Sequence, residues 1–439
     1  MTAQRAIRAY MLIAGLYTMS ASVIWGVNTL FLLNAGLSIG QVFLANAAFT
    51  AAMIVFDIPT GIFADTRGRR ASFLLSVVFL FFGTLGYVWV AAARGGLLAF
   101  SAMSVVLGLG YCFYSGAVES WLVDALRASR YEGELDKVFA KGQMVTGSAM
   151  LIGTVGGGLL GSLNLSYPFL ARAGLLGLLL AVAVATMHDV GFTPRPLALS
   201  NLATEVRGVA RASIDHGWRT RPVRLLMMVS FIQFGFLTWG YYAWQPYFLK
   251  LLGTQLIWVA GIISALVALS AIAGNGLVEL LSRRCRRRTT LLLWAAGIQT
   301  GAAVGVGLAP WFWLAVALFL VVAGTMGVVG PVKQAYLHQL IAPEERATIV
   351  SFDSMFANTG SVVGQIGLGH LSQVGSIADG YVVGGAFTLL TLPVLVLLRR
   401  LDAPADRIVG TAGRQGACAA LGLPAVASID ATAGGGELV

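Results

Sequence analysis

The chain has 439 residues, of which 57% are hydrophobic and 11% charged, and its formal net charge is +10. A soluble globule carries about 25% charged residues, so a single water-soluble domain is excluded and the bilayer becomes the main solvent. The 29 Lys and Arg are not spread over a polar surface with interleaved aromatics, which argues against nucleic acid as a partner.

A spanning helix needs about 20 apolar residues. Twelve such segments are predicted, beginning near Ala9, Ser38, Ala71, Gly96, Lys141, Ser166, Val223, Leu256, Thr289, Trp311, Ala347 and Ala378. The first outruns a signal peptide's apolar core and shows no small-residue cleavage site, so it is expected to be the first span of the mature protein. Between the second and third segments stands Asp57–Arg70, DIPTGIFADTRGRR. So polar a turn is costly in hydrocarbon and belongs at the membrane face, with Asp65 and Arg69 one helical turn apart and able to pair. In the fifth segment the run Gly147, Gly153 to Gly161 offers a smooth face for close helix packing.

Asp189–Pro222 is richer in Pro and Arg and divides the chain. Within it, Leu199–Trp218 reads either as an amphipathic helix on the membrane surface or as a plain linker. From Ala403 to Val439 the chain is rich in Gly, Ala and Pro without periodicity, the signature of disorder. The expected organisation is therefore a six-helix bundle over 1–188, a cytoplasmic linker over 189–222, a second bundle over 223–400 and a disordered cytoplasmic tail over 401–439. The halves look duplicated. SGAVESWLVDAL (Ser115–Leu126) in the fourth segment aligns with GPVKQAYLHQLI (Gly330–Ile341) in the tenth, pairing Glu119 with Gln334 and Trp121 with Tyr336. NGLVELLSRR from Asn275 likewise sets Glu279 against Asp65, and Arg283 and Arg284 against Arg69 and Arg70.

Basic residues cluster at Arg5 and Arg8, Arg67–Arg70, Arg127–Lys141, Arg195–Arg224, Arg283–Arg288, Arg346 and the tail. Arg94, Arg172 and Lys250 are assigned to the opposite face and Lys333 to a helix interior. By the positive-inside rule both termini are cytoplasmic. Three cysteines (Cys112, Cys285, Cys418) and four scattered histidines provide neither a disulfide framework nor metal-ligand spacing. A Walker loop is also missing. No cofactor, metal or enzymatic activity is expected, and work would draw on a gradient.

The spacing Gly61, Asp65, Gly68, Arg69, Arg70 resembles the signature loop of the major facilitator superfamily of secondary transporters, G-x-x-x-D-x-x-G-R-[KR]. D-I-P-T-G at Asp57, S-G-A-x-E-x-W-L-x-D at Ser115, W-Q-P at Trp244–Pro246 and P-E-E-R-A-T at Pro343–Thr348 are similar to a bacterial branch of it. The resemblance covers about Ala9 to Arg400. It implies an all-α membrane protein, with twelve transmembrane helices in two pseudo-symmetric six-helix bundles, that sits in a bacterial inner membrane as a monomer. A small organic solute would move by alternating access. Proton-coupled efflux of a drug or metabolite is the leading variant, with proton-coupled or facilitated uptake as alternative. A receptor or assembly factor on the same fold is the second. Two departures weigh against drug and proton antiport: Ser104 stands where such exporters often carry an arginine, and Gly153–Gly158 lacks the proline of their G-P-x-x-G-G signature.

The same resemblance assigns Asp65, Arg69 and Asp124 to a latch at the inner gate, shaped by Gly61, Gly68 and Arg70. The alternative is a folding and topology element. A charge within a span costs roughly 2.5 to 3.5 kcal/mol, which leaves Asp57, Glu119, Lys333 and Asp353 as candidates for proton or ion coupling. Glu119 leads among these. Lys333 lies at similar depth in the symmetry-related segment, so the two could pair, with Asp353 competing for the lysine. The family pattern places Trp25, Asn28, Gln233, Tyr241, Trp244, Gln245 and Gln334 around a substrate cavity. Aromatic faces with a few amides suit an amphipathic or cationic organic molecule. An interfacial belt is the alternative for such aromatics, preferred for Tyr247 and Trp258 and open for Tyr241 and Trp244.

Overall fold

The computed structural model describes residues 2–192, 208, 211, 213–253, 256–342 and 345–408. The tail from residue 409 and most of the stretch Leu199–Trp218 lie outside them. The first span is split into α1 (Ala3–Ser22) and α2 (Asn28–Asn34), and it is followed by α3 (Ile39–Arg67) and α4 (Arg69–Ala92). The fourth is split into α5 (Leu97–Tyr114) and α6 (Ala117–Ala128), after which come α7 (Leu135–Leu163) and α8 (Tyr167–Thr186). The second half consists of α9 (Arg221–Leu252), α10 (Ile257–Arg284), α11 (Arg288–Leu308), α12 (Phe312–Leu340), α13 (Arg346–Val374) and a last span made of α14 (Ile377–Phe387) and α15 (Thr391–Arg400).

All twelve predicted segments are therefore helical, and among the described residues ten of the spans are long and apolar enough to cross a membrane by that measure alone. The remaining two are α1, diluted by Arg5 and Arg8, and α13, which carries Asp353, Asn358 and Gln365. Both are covered by neighbours. Helix α1 packs on α7 and α8, and α13 lies between α3 and α9.

The fourth span was expected to be continuous. It breaks at Ser115–Gly116, where Gly116 takes φ +70°, a left-handed conformation that glycine adopts without steric cost. A single residue, Gly68 at φ +105°, joins α3 to α4. One end of the bundle carries Arg5 and Arg8, the Gly68 turn and the turn after α10, and is called the basic end below. The opposite end is the far end.

Lipid gives no hydrophobic drive between helices, so close packing and hydrogen bonds must hold the halves together. Helix α3 crosses to α13 through three polar contacts along its length. Gln373 Oε1 accepts from Gly40 N (3.1 Å), Gln365 Nε2 donates to Thr50 Oγ1 (3.1 Å), and Ser351 Oγ donates to Asp57 Oδ2 (2.8 Å). Helix α7 meets α10 where Gly158 faces Gly261, so close that a Cβ on Gly158 would stand 2.7 Å from the Gly261 Cα. The aromatic cores are mostly internal to each half, apart from Phe43 of α3, which reaches across to Trp239 with ring centroids 5.8 Å apart.

Within the second half, α9 and α13 touch backbone to backbone: a Cβ on Gly364 would collide with the Gly235 carbonyl, whereas one on Gly367, a turn further along, meets nothing within 4 Å. Gly364→Ala is expected to destabilise the protein by about 1 to 3 kcal/mol, as overpacking does. Gly367→Ala should leave stability unchanged or raise it through helix propensity. Thermal unfolding of both variants in detergent checks this, and equal melting temperatures would contradict it.

Candidate functional site

Two joined cavities lie between the halves. The first, about 570 Å³, is nearer the basic end and is lined by Asp57, Cys112, Ser115, Gln233, Lys333, Gln334 and Asp353 among others. The second, about 430 Å³, lies toward the far end and is lined by Tyr17, Trp25, Asn28, Asn46, Tyr87, Arg172 and Tyr242 among others. Met53, Tyr111, Phe234 and Asn358 belong to both walls, which makes them one chamber with two compartments. Each volume falls within the range of about 300–1,000 Å³ typical of small-molecule sites.

The far end is closed by a bond set that starts from the break in the first span. Splitting a helix frees backbone groups that hydrocarbon cannot satisfy. Here Gln245 of α9, fully buried, satisfies two of them: its Oε1 accepts from Thr29 N (2.9 Å) and its Nε2 donates to Trp25 O (2.8 Å). Thr29 Oγ1 then donates to Tyr242 O (2.9 Å). One glutamine thus caps a helix start in the other half and closes that end. Gln245 therefore belongs to the seal and lines neither compartment. Asn28 lines the second compartment and donates to Asn46 Oδ1 (3.4 Å).

At the basic end, Ser115, Glu119, Gly330 and Gln334 are exposed, so the first compartment meets solvent there. Lys333 does not reach Glu119. Its Nζ lies 2.6 Å from Asp353 Oδ2 and also donates to Ser230 Oγ, which in turn donates to Asp353 Oδ1 (2.8 Å). The triad ties α9, α12 and α13 together, so the competition for the lysine is won within its own half. Glu119 lies in the first turn of α6, where the helix dipole favours an acid, and makes no hydrogen bond or ion pair with another described residue. Asp57 is the acid whose hydrogen bond, to Ser351, joins the two halves at the chamber wall.

Asp65 and Arg69 pair at 2.7 Å. Asp124 forms no ion pair among the described residues, and α6 is anchored instead by Trp121 Nε1, which donates to His188 O (2.9 Å). Gly61 faces open space. The acid that organises the turn is Asp189, which the sequence reading left in the linker. Its Oδ1 accepts from Arg70 N (2.9 Å), its carboxylate lies where a Gly68 Cβ would stand, and Arg70 Nη2 reaches Val184 O (3.3 Å). The second half repeats the device: Asp406, 1% exposed, accepts from Thr289 N and Thr289 Oγ1, both at 2.8 Å. Arg70 and Thr289 are each the second residue of the third span in their half. The ungapped alignment missed this because the turn from Cys285 to Arg287 is longer than the one at Gly68. An acid just after the sixth span of each half was the available signal.

Other aromatics sit elsewhere than expected. Trp244 is buried among Phe248 and Phe319, with Nε1 unpartnered among the described residues. Tyr247 is also interior and donates to Val306 O (3.0 Å), which corrects its assignment to a belt. Tyr241 stacks edge-on with Tyr242 and lines neither compartment. Trp258 is 40% exposed. Arg172, assigned to the membrane face opposite the basic clusters, is instead buried in the chamber wall.

A family model described as Major Facilitator Superfamily matches residues 10–306 and 259–428. The chain is 29% identical over 151 residues to "Uncharacterized MFS-type transporter YxaM" of Bacillus subtilis (strain 168), a match spanning 34% of this chain and 35% of that one. It therefore aligns with about a third of that relative's length. Among solved structures, the nucleoside transporter NupG superposes with a TM-score of 0.72 at 10% identity, covering 91% of this chain and 99% of that one. A D-xylose-proton symporter gives a TM-score of 0.65 at 14% identity, covering 90% and 96%.

Removing one member of a buried ion pair leaves the other charge uncompensated and costs about 3–5 kcal/mol, whereas removing both is far milder. Lys333→Met and Asp353→Leu should each destabilise by that order, and the double variant should recover most of the loss. A double-mutant cycle of thermal unfolding tests it. Additive losses would show that the triad is not a unit.

Proposed function

Because the chain belongs to the major facilitator superfamily, we propose that this secondary transporter carries a small organic solute through the chamber between its halves, by alternating access coupled to protons. The observation that carries this reading is a solute-sized chamber sealed at one end by Gln245, Thr29 and Trp25 and open at the other. The positive-inside rule makes the basic end cytoplasmic, in a bacterial inner membrane, so the conformation described accepts solute from the cytoplasm. The chain works as a monomer.

Asp57 is the coupling acid in this reading. Its carboxylate accepts from Ser351 across the halves, so protonation weakens an acceptor that holds α3 to α13 and biases the rocking motion. The Lys333–Asp353 pair keeps the second half rigid beside it, and Glu119 faces the cytoplasmic mouth. The Asp65–Arg69 pair and the Asp189 cap hold the α3–α4 turn in shape within the first half, and the inner-gate latch closes against that turn. Proton-coupled export is the assigned direction, since solute loads from the cytoplasmic side. Uptake with protons is the second reading, favoured by the likeness to the D-xylose-proton symporter.

Two measurements test this. In inverted vesicles, a panel of organic acids, cations, sugars and nucleosides is expected to include a solute that moves protons with the wild type and fails to with equally inserted Asp57→Asn. Silence across the panel would sink proton coupling. In a cysteine-free background, Asn28→Cys should react slowly with an impermeant maleimide from outside, and several-fold faster once Gln245→Ala removes the seal. Equal rates would mean that Gln245 does not hold the far end shut.

A further inference from the structure

Arg172 stands in the second turn of α8, 9% exposed, in the wall of the second compartment. No hydrogen bond or ion pair ties it to another described residue, and its Nε is buried without an acceptor. It is the one charged group among the residues that line this compartment. No acid among the described residues lines this compartment, and Glu119, exposed in the first turn of α6, forms no ion pair with Arg172. Asp353 is taken by Lys333 and Ser230. Asp57 accepts from Ser351 and lines the first compartment, not the second. A buried guanidinium is penalised until an anion meets it. Tyr17, Tyr87 and Tyr242 line the same compartment and bring polar hydroxyls but no carboxylate.

We propose that this compartment is an anion subsite, so that the carried solute is an organic carboxylate with an apolar, aromatic body. The inference rests on the transporter reading and names its substrate class. The planar guanidinium fork matches a carboxylate with two parallel hydrogen bonds. The body lies against Trp25, Phe49 and Tyr114, the last held by Tyr17 with ring centroids 3.5 Å apart. A cation placed there would meet Arg172 in a low-dielectric site, with no lining acid to offset it. The cationic amphipath that the aromatic faces suggested is therefore disfavoured.

The test uses the full chain, purified in detergent, with benzoate, salicylate and indole-3-acetate as probes, their methyl esters as uncharged counterparts and benzyltrimethylammonium as the cation. At least one carboxylate should raise the melting temperature by about 2 °C or more at saturation, while its ester and the cation do not. Arg172→Met should abolish the shift, and Arg172→Lys, which keeps the charge but loses the fork, should retain part of it. Without ligand, Arg172→Met should unfold at the wild-type temperature or above, because it removes an unpaired buried charge. A ligand-free drop of several degrees would show that the protein itself partners the guanidinium, and would overturn the subsite. So would a shift that survives Arg172→Met, a cation as effective as the acids, or the lack of any carboxylate shift. Counterflow in proteoliposomes separates the two readings. Carboxylate binding that never supports counterflow sinks the carrier and leaves the subsite, whereas counterflow of a neutral or cationic solute indifferent to Arg172→Met does the reverse.

Discussion

Every backbone amide and carbonyl inside a bilayer must find a partner within the protein, and in this chain that demand sets the positions of the working parts. Where the helices are continuous it is met locally. Where they break or begin at the membrane face, a side chain from elsewhere meets it, and the two segments become tied. Gln245 satisfies the broken first span and thereby joins the halves at the far end. Asp189 and Asp406 satisfy the starts of α4 and α11 and thereby close each half on itself at the basic end. The first kind of tie must be broken for the chamber to open at the far end. The second need not be, because each cap lies inside one rigid body.

The twelve spans were legible because apolar runs of about 20 residues are a direct consequence of bilayer thickness. The Asp65–Arg69 pair was legible for a similar reason, since i,i+4 geometry is local. The partners of buried charges were not. Lys333 has Asp353 twenty residues along the sequence, while Glu119 lay at a symmetric depth, and only the packing of α9 against both α12 and α13 decides between them. Arg172 was misplaced because it stands five residues into its helix, within reach of the far membrane face on sequence grounds, and nothing local says that its side chain turns inward. Gln245 was picked as a cavity amide for the right chemical reason. Its amide is spent on the backbone of Thr29 and Trp25, and that choice depends on a break in the first span that no glycine or proline run announces as strongly as Gly116 announces the break in the fourth.

The strength of the far seal fits what a carrier needs. Hydrogen bonds between helices in a membrane contribute roughly 0.6 kcal/mol each, reaching about 1.7, so the three bonds among Gln245, Thr29, Trp25 and Tyr242 amount to a few kcal/mol at most. Two conformations separated by a few kcal/mol are both reachable, and a ligand with differential affinity can shift them. The ion pair near the chamber, Lys333–Asp353, sits within one half, where rigidity is wanted.

Binding and opening also share residues. Trp25 and Tyr242 line the second compartment, and their backbone carbonyls accept hydrogen bonds of the seal. A solute bound in that compartment would sit against the residues that supply two of the three sealing bonds. Arg172 lines the same compartment, so the charge that draws the solute in also brings it to the residues that hold the seal. In the proposed carrier, filling the chamber and loosening the far end would then be one event, a coupling of binding to conformation.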